Sequence, residues 1–295
     1  MDLLEWVDMR AEKEIPNRLP TEKEPCVIIE NDALNALSQL PGNIFQCCVT
    51  SPPYWGLRDY GIDNQIGAEM FVNDYINKLV EVFREVYRVL SPDGTLWLNI
   101  GDSYTSGGRT WRQADKKYPV REMSYRAPTP EGLKPKDLIG VPWRLAFALQ
   151  ADGWHLRSDI IWYKPNCFPE SVKDRPTQSH EYLFLMSKSE RYYYDYEAIK
   201  EPTEDKNGLR NKRSVWSVKT EPFKGAHFAV FPPSLVKPCI LAGSKTDSLV
   251  LDPFFGSGTV GEVCIQLNRK CVGIEFNPAY TKIARDRIAH TMRHS

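Results

Sequence analysis

The sequence predicts an α/β fold: a seven-stranded, mostly parallel sheet with helices on both faces, plus inserted loops. Three observations predict it. Seven short apolar runs, most followed by a helical pattern, recur along the 295 residues, the alternation expected of a parallel sheet covered on both sides. Two of the runs end in Pro- or Gly-rich polar turns, at the strand ends where open α/β sheets bind ligands. A content of 42% hydrophobic and 26% charged residues is that of a globular chain able to bury a core.

Each element has its own local reason. Residues 1–25 are polar, contain Pro16, Pro20 and Pro25, and read as an N-terminal arm. Residues 26–295 read as one domain. Cys26–Ile29 is a strand, and Ala33–Leu40 a brief helix. Phe45–Thr50 is an apolar strand. From Asn73 to Leu90 the apolar residues Ile76, Leu79, Val82, Phe83, Val86, Val89 and Leu90 keep a 3.6-residue period. Asn73 or Asp74 is placed to cap that helix, and Ser91-Pro92-Asp93-Gly94 to end it. Strands follow at Thr95–Ile100, Ser158–Tyr163 and Tyr182–Met186, with a helix over Ile139–Ala151 between the first two. A short helix runs from Pro232-Pro233 through Ile240. Ser248–Leu251 is a strand, with a helix after it to about Leu267. Cys271–Glu275 is the last strand, and Pro278 opens the last helix, where proline is tolerated. Segments 105–136 and 196–226 carry no periodicity and read as long loops, a length that is usually functional.

The stretch Val49-Thr50-Ser51-Pro52-Pro53-Tyr54-Trp55 organises the rest. Two prolines fix two φ angles and remove two N–H donors. The strand must stop there, leaving a rigid rim with outward-facing acceptors and an aromatic ring beside them. Such a rim suits an exocyclic amine on a heteroaromatic ring, a poor nucleophile because its lone pair is delocalised. The Ser51 hydroxyl and the Pro52 carbonyl can each accept one N–H, and Tyr54 can stack on the ring. Catalysis of that kind is positioning and electrostatics. The alternative is a Pro-Pro turn with a packed aromatic.

A second signal lies near the other end of the chain. Asp252-Pro-Phe-Phe-Gly-Ser-Gly-Thr259 has the strand, Gly-rich turn and helix of a nucleotide-binding crossover. Glu275 ends the next strand, placed to accept from two ribose hydroxyls. No lysine follows Gly258, and Asp252 and Glu262 flank the turn. An acidic rim disfavours a pyrophosphate and favours a cationic ligand such as S-adenosyl-L-methionine, which carries a sulfonium and an ammonium. A NAD-type site is the rival reading.

Charge and cysteine usage bound the setting. The net charge is zero, but Arg109–Lys136 and Lys206–Lys224 each carry a net of +5, the footprint of a limited nucleic-acid face. Solvated loops are the other explanation. Within these stretches Arg109, Arg112, Lys116, Lys117, Arg210, Lys212 and Arg213 are the candidate phosphate contacts. Seven cysteines in no repeating pattern fit a reducing, cytoplasmic compartment. No apolar run is long enough for a membrane span, and the acidic N-terminus is unlike a signal peptide. The five histidines are scattered, so a metal site is not expected.

Together these residues resemble the amino-methyltransferases of DNA that act on N4 of cytosine or N6 of adenine. The order of the two motifs is that of the circularly permuted beta group, of restriction–modification or phage type. The similarity runs from about Val27 to Arg287 and includes the segments Leu90–Tyr104 and Ile161–Asn166. The resemblance implies S-adenosyl-L-methionine as cofactor and the methyltransferase fold, with one antiparallel strand in seven. It implies that Ser51, Pro52, Pro53 and Tyr54 hold a base flipped out of double-stranded DNA. Asp252, Phe254, Gly256, Ser257, Gly258 and Thr259 would surround the methionine end of the cofactor. Glu275 would take the ribose, with Asn277 nearby. Asp32 would meet the adenine amine, and Phe231 and Pro232 would pack beside it. Segments 105–136 and 196–226 would be the target-recognition elements. Serine at the first motif position goes mainly with cytosine N4 in this family, and Asp or Asn mainly with adenine N6. The alternatives are an N6-adenine enzyme, a methyltransferase of another amine, or a catalytically silent nucleic-acid-binding homologue. Candidate partners are a separate cognate restriction endonuclease, since no nuclease motif occurs in this chain, and a second copy in a homodimer. Cys239 follows a proline, as in enzymes that attack C6 of cytosine, but its place ahead of the cofactor strand reads as core. Lys164 and Asp102 sit at strand ends near the cleft and are assigned no catalytic role.

Overall fold

The computed structural model describes residues 19–56, 65–105, 127–204, 207–221 and 231–294. Within them the chain runs β1 (Cys26–Glu30), α1 (Ala33–Gln39), β2 (Phe45–Thr50), α2 (Val72–Val89), β3 (Leu90–Ile100), α3 (Val141–Ala151), β4 (His155–Tyr163) and β5 (His180–Ser187). It continues through β6 (Glu201–Pro202), β7 (Leu209–Arg210), β8 (Val215–Ser217), α4 (Pro233–Gly243), β9 (Leu249–Asp252), α5 (Thr259–Gln266), β10 (Lys270–Glu275) and α6 (Pro278–His294).

The sheet order is β1-β10-β9-β2-β3-β5-β4-β8. Its pairings are parallel except where β5 meets β3 and β4. One strand is therefore antiparallel, as expected, but the main sheet has eight strands rather than seven. The extra strand is β8, inside the segment expected to be a structureless loop. Trp216 drives it there: the indole is buried beside Trp97, and the backbone pairs in register with Ile161–Tyr163. β6 and β7 form a separate two-stranded ribbon in the same segment.

Both faces of the central strands are buried, so their side chains alternate between two cores. Cys48, Leu96, Leu98, Leu251, Val272 and Ile274 point to one face, which holds residues of α1, α2 and α3. Cys47, Val49, Trp97, Val250 and Cys271 point to the other, with α4, α5 and α6. No helix among the described residues is long and apolar enough to cross a membrane.

Helix α2 begins at Val72, ahead of the expected cap at Asn73 or Asp74. Phe71 takes the cap position without a side-chain bond. Burial of Val72 and Tyr75 outweighs the cap, and the Tyr75 hydroxyl donates to the Pro53 carbonyl at 2.9 Å. At the other end the helix stops at Val89 and the chain is extended from Leu90. Pro92 disfavours helical backbone at Ser91, and β3 starts at once instead of after a separate turn.

Candidate active site

Sheet order brings distant turns together at one edge. β1, β10, β9, β2 and β3 are parallel neighbours, so their carboxyl ends line up. Those ends carry, in that spatial order, Asp32, Glu275, Asp252, Ser51 and Asp102. β5 runs the other way, so its amino end, with Glu181, reaches the same rim beside Lys164 at the end of β4.

The two motif loops are joined by a buried bond. β2 pairs with β9, Cys47 opposite Val250 and Cys48 opposite Leu251. The Thr50 hydroxyl then donates to Asp252 Oδ1 at 2.7 Å, and the Phe254 N–H donates to the same oxygen at 3.0 Å. Burial pushes the Asp252 carboxyl up from 3.8 to about 7, although both hydrogen bonds pull it down. Neighbouring Glu275 adds to the rise.

Glu275 shapes the turn above Asp252. Its Oε2 accepts from the Gly256 N–H at 2.7 Å and its Oε1 from the Asn277 N–H at 2.8 Å. Burial raises its pKa against those bonds and a further one from the Phe276 backbone. Gly256 and Gly258 both have positive φ, 52° and 82°, a region that L side chains rarely occupy. A side chain at Gly258 would also press on Ala284, its Cβ lying 3.2 Å from that of Ala284. Ser257 and Thr259 are buried, and their hydroxyls accept from Arg287 of α6 at 3.3 and 3.0 Å. What these two residues offer the rim is backbone. Asp32 accepts through Oδ1 from the Leu34 and Asn35 N–H groups and caps α1. Asn277 caps α6 through Ala279. Pro232 is buried at the start of α4, and Phe231 packs on the second core.

On the Ser51 side, the Ser51 hydroxyl donates to the Tyr54 hydroxyl at 3.5 Å. Tyr54 in turn donates to Glu181 Oε2 at 2.7 Å, with Asn99 Oδ1 at 3.3 Å. Lys164 forms an ion pair with Glu181 Oε1. The bare Cα of Gly101 makes room for this group, because a Cβ there would lie 2.8 Å from Tyr54 Cε2. Glu181 and Asn99 escaped the sequence reading. The available signal was a charged residue opening an otherwise apolar strand.

The remaining candidates stand apart. Arg210, Lys212 and Arg213 cluster around Glu201 and Glu204, with contacts of 3.1 to 3.9 Å. Arg109, Arg112, Lys116 and Lys117 lie outside the described residues. Asp102 accepts the Gly140 and Val141 N–H groups at the start of α3, each at 3.0 Å. Cys239 is buried in α4, its thiol donating to the Leu235 carbonyl at 3.3 Å.

The last residues of β1, β9 and β10 and the turns after them hold Glu30, Asp32, Asp252 and Glu275 and no lysine or arginine. This donor set suits a cation with hydroxyls and repels a phosphate. A DNA methylase family model matches residues 45–286. The chain belongs to the DNA methylase family. It is 64% identical over 271 residues to the Type II methyltransferase M.SmaI of Serratia marcescens, covering 92% of this chain and 93% of that protein. It is 62% identical over 269 residues to M.Cfr9I of Citrobacter freundii, covering 91% and 89%. The fold matches that of PvuII DNA methyltransferase (cytosine-N4-specific), with a TM-score of 0.69, 19% identity and coverage of 93% and 89%. A Thermus thermophilus structure complexed with S-adenosyl-L-methionine matches with a TM-score of 0.61 at 22% identity, covering 90% and 95%. This DNA methylase therefore has the α/β fold of DNA methyltransferases of known structure, with its motif loops at one sheet edge.

Proposed function

We propose that this methylase transfers a methyl group from S-adenosyl-L-methionine to the exocyclic N4 of a cytosine flipped out of duplex DNA. The observation that carries the reading is the Thr50–Asp252 bond. It ties the strand end that opens the amine-holding rim to the strand end that opens the cofactor turn.

Bound S-adenosyl-L-methionine supplies an electrophilic methyl on a sulfonium. Glu275 has lone pairs beyond those used by Gly256 and Asn277, suited to the ribose hydroxyls. The acidic turns attract the cationic methionine end. Ser51 and the Pro52 carbonyl accept the two amine hydrogens and turn the nitrogen lone pair outward. Tyr54 supports the ring. Flipping costs about a few kcal/mol, offset by contacts to the splayed strand. Segments 105–136 and 196–226 read the target and its phosphates; residues 1–18 of the expected N-terminal arm lie outside the described residues.

Serine at position 51 supports cytosine, as does the fold shared with an enzyme described as cytosine-N4-specific. The test is incubation with labelled S-adenosyl-L-methionine and duplex DNA, digestion, and identification of the nucleoside. Labelled N4-methylcytosine is the expected product. N6-methyladenine would replace the base assignment, and no labelled base from diverse duplexes would reject the reading.

A further inference from the structure

We propose that Glu181 is a positioning residue for methyl transfer: held by Lys164, it takes the proton of Tyr54 in a hydrogen bond and so leaves the Ser51 oxygen facing the target amine as an acceptor. The inference rests on the amino-methyltransferase reading and deepens it.

A hydroxyl can both donate and accept. To receive an amine hydrogen, Ser51 must send its own proton elsewhere. The structure provides the path, from Ser51 Oγ to the Tyr54 oxygen at 3.5 Å and from Tyr54 to Glu181 Oε2 at 2.7 Å. The first contact is at the outer limit of a hydrogen bond. Tyr54 has a single proton. Of the carboxylate and Asn99 Oδ1, the carboxylate is nearer, Asn99 Oδ1 lying at 3.3 Å, and it is charged, which makes the stronger bond. Asn99 is itself fixed, donating to Glu181 Oε2 at 3.2 Å and to the Tyr182 carbonyl at 3.1 Å.

Both oxygens of Glu181 therefore face donors. Oε2 meets Tyr54 and Asn99, and Oε1 meets the Lys164 ammonium, which also lies 4.2 Å over the Trp162 ring. Only a carboxylate satisfies both sides. A glutamine offers one acceptor, which the ammonium claims, and turns its NH2 toward Tyr54. The chain then reverses, and Ser51 points its proton at the amine hydrogens.

The experiment measures kcat and KM with labelled S-adenosyl-L-methionine on a duplex that the wild type methylates. E181Q is expected to lower kcat by about tenfold or more, with KM for both substrates changed by less than about threefold. K164M/E181Q is expected to regain about threefold over E181Q, because without the ammonium the glutamine carbonyl turns back to Tyr54. Unfolding midpoints are measured beside kcat, because removing an ammonium left without its carboxylate restores stability in a purely structural pair, whereas the proposed path restores kcat at an unchanged midpoint. Tyr54→Phe tests the same path without touching the ion pair, since it keeps the ring and removes the hydroxyl. It is expected to cost about as much as E181Q, again in kcat. E181Q within about twofold of wild type, a double variant no better than E181Q, or an unaffected Tyr54→Phe enzyme would each overturn the proposal. A wild type that labels no duplex is a different failure, that of the methyltransferase reading itself.

Discussion

Asp252→Asn separates the stability of the Asp252–Gly258 turn from its proposed role in binding the cofactor. The Asp252 carboxyl is raised from 3.8 to about 7 in the folded chain, a difference that corresponds to about 4 kcal/mol. The folded pKa lies above the unfolded one, so folding favours the protonated form. The associated stability is fully present below about pH 3.8 and is lost as pH rises through about 7. Between about pH 5 and pH 8 the wild type should lose about 3 kcal/mol from this group, a fall of about 5 °C in unfolding midpoint for a chain of this length. The asparagine side chain of the variant would be neutral throughout, keep the acceptor for Thr50 and Phe254, and flatten that slope. Glu275, also raised by burial, retains a slope of the same sign. The wild type binds a cation best once the carboxylate is charged, so its affinity for S-adenosyl-L-methionine should rise with pH up to about 7, by as much as about tenfold per pH unit. The Asp252→Asn variant should bind weakly with no such rise. Scanning fluorimetry and calorimetric titration across the pH range provide the readouts. Parallel midpoint–pH curves for the two proteins would refute the assignment of this slope to Asp252.

Three further outcomes follow from the geometry. Gly101→Ala puts a Cβ 2.8 Å from Tyr54 Cε2 and 3.4 Å from the Glu181 side chain, so kcat should fall by about tenfold or more, measured by methyl transfer. Glu275→Gln replaces an acceptor of the Gly256 and Asn277 N–H groups. It should weaken S-adenosyl-L-methionine binding by about tenfold, or about 1.4 kcal/mol, by equilibrium titration. Cys239→Ser should keep methyl transfer within about twofold while lowering stability by about 1–2 kcal/mol, because the buried thiol is in core packing and a hydroxyl can make the same bond to Leu235. Loss of labelling in that variant would move the chemistry to the thiol.

Much of the fold was legible because its strands are continuous apolar runs and α2 keeps a strict period. Both motif loops were legible because Pro-Pro and Gly-x-Gly constrain backbone wherever they occur. Strand β8 was not, since three residues flanked by lysine and arginine carry no alternation, and Trp216 declares itself only by its neighbours. The start of α2 misled because Asn73 and Asp74 have good capping chemistry, but burying Val72 is worth more than a cap bond, about 1.5–3 against about 1 kcal/mol. Glu181 was hidden for a topological reason. It stands 127 residues from Tyr54, and only the reversed direction of β5 brings a residue from a strand's opening to the rim formed by the other strands' last ones.

That rim depends on register as much as on residue type. Cys48 lies opposite Leu251, which places Thr50 within reach of Asp252 across the β2–β9 boundary. A slip of one residue would turn Thr50 to the other face and leave a fully buried carboxyl without its side-chain donor. β2 belongs to the first third of the chain and β9 to the last, and no turn connects them. Their register is set instead by the two cores. Cys47 and Val250 must both face α4 and α5, while Cys48 and Leu251 must both face α1 and α2. The same alternating burial that makes the sheet a parallel, two-sided one therefore aligns the Ser51 turn with the Asp252–Gly258 turn, the proposed amine rim and cofactor turn.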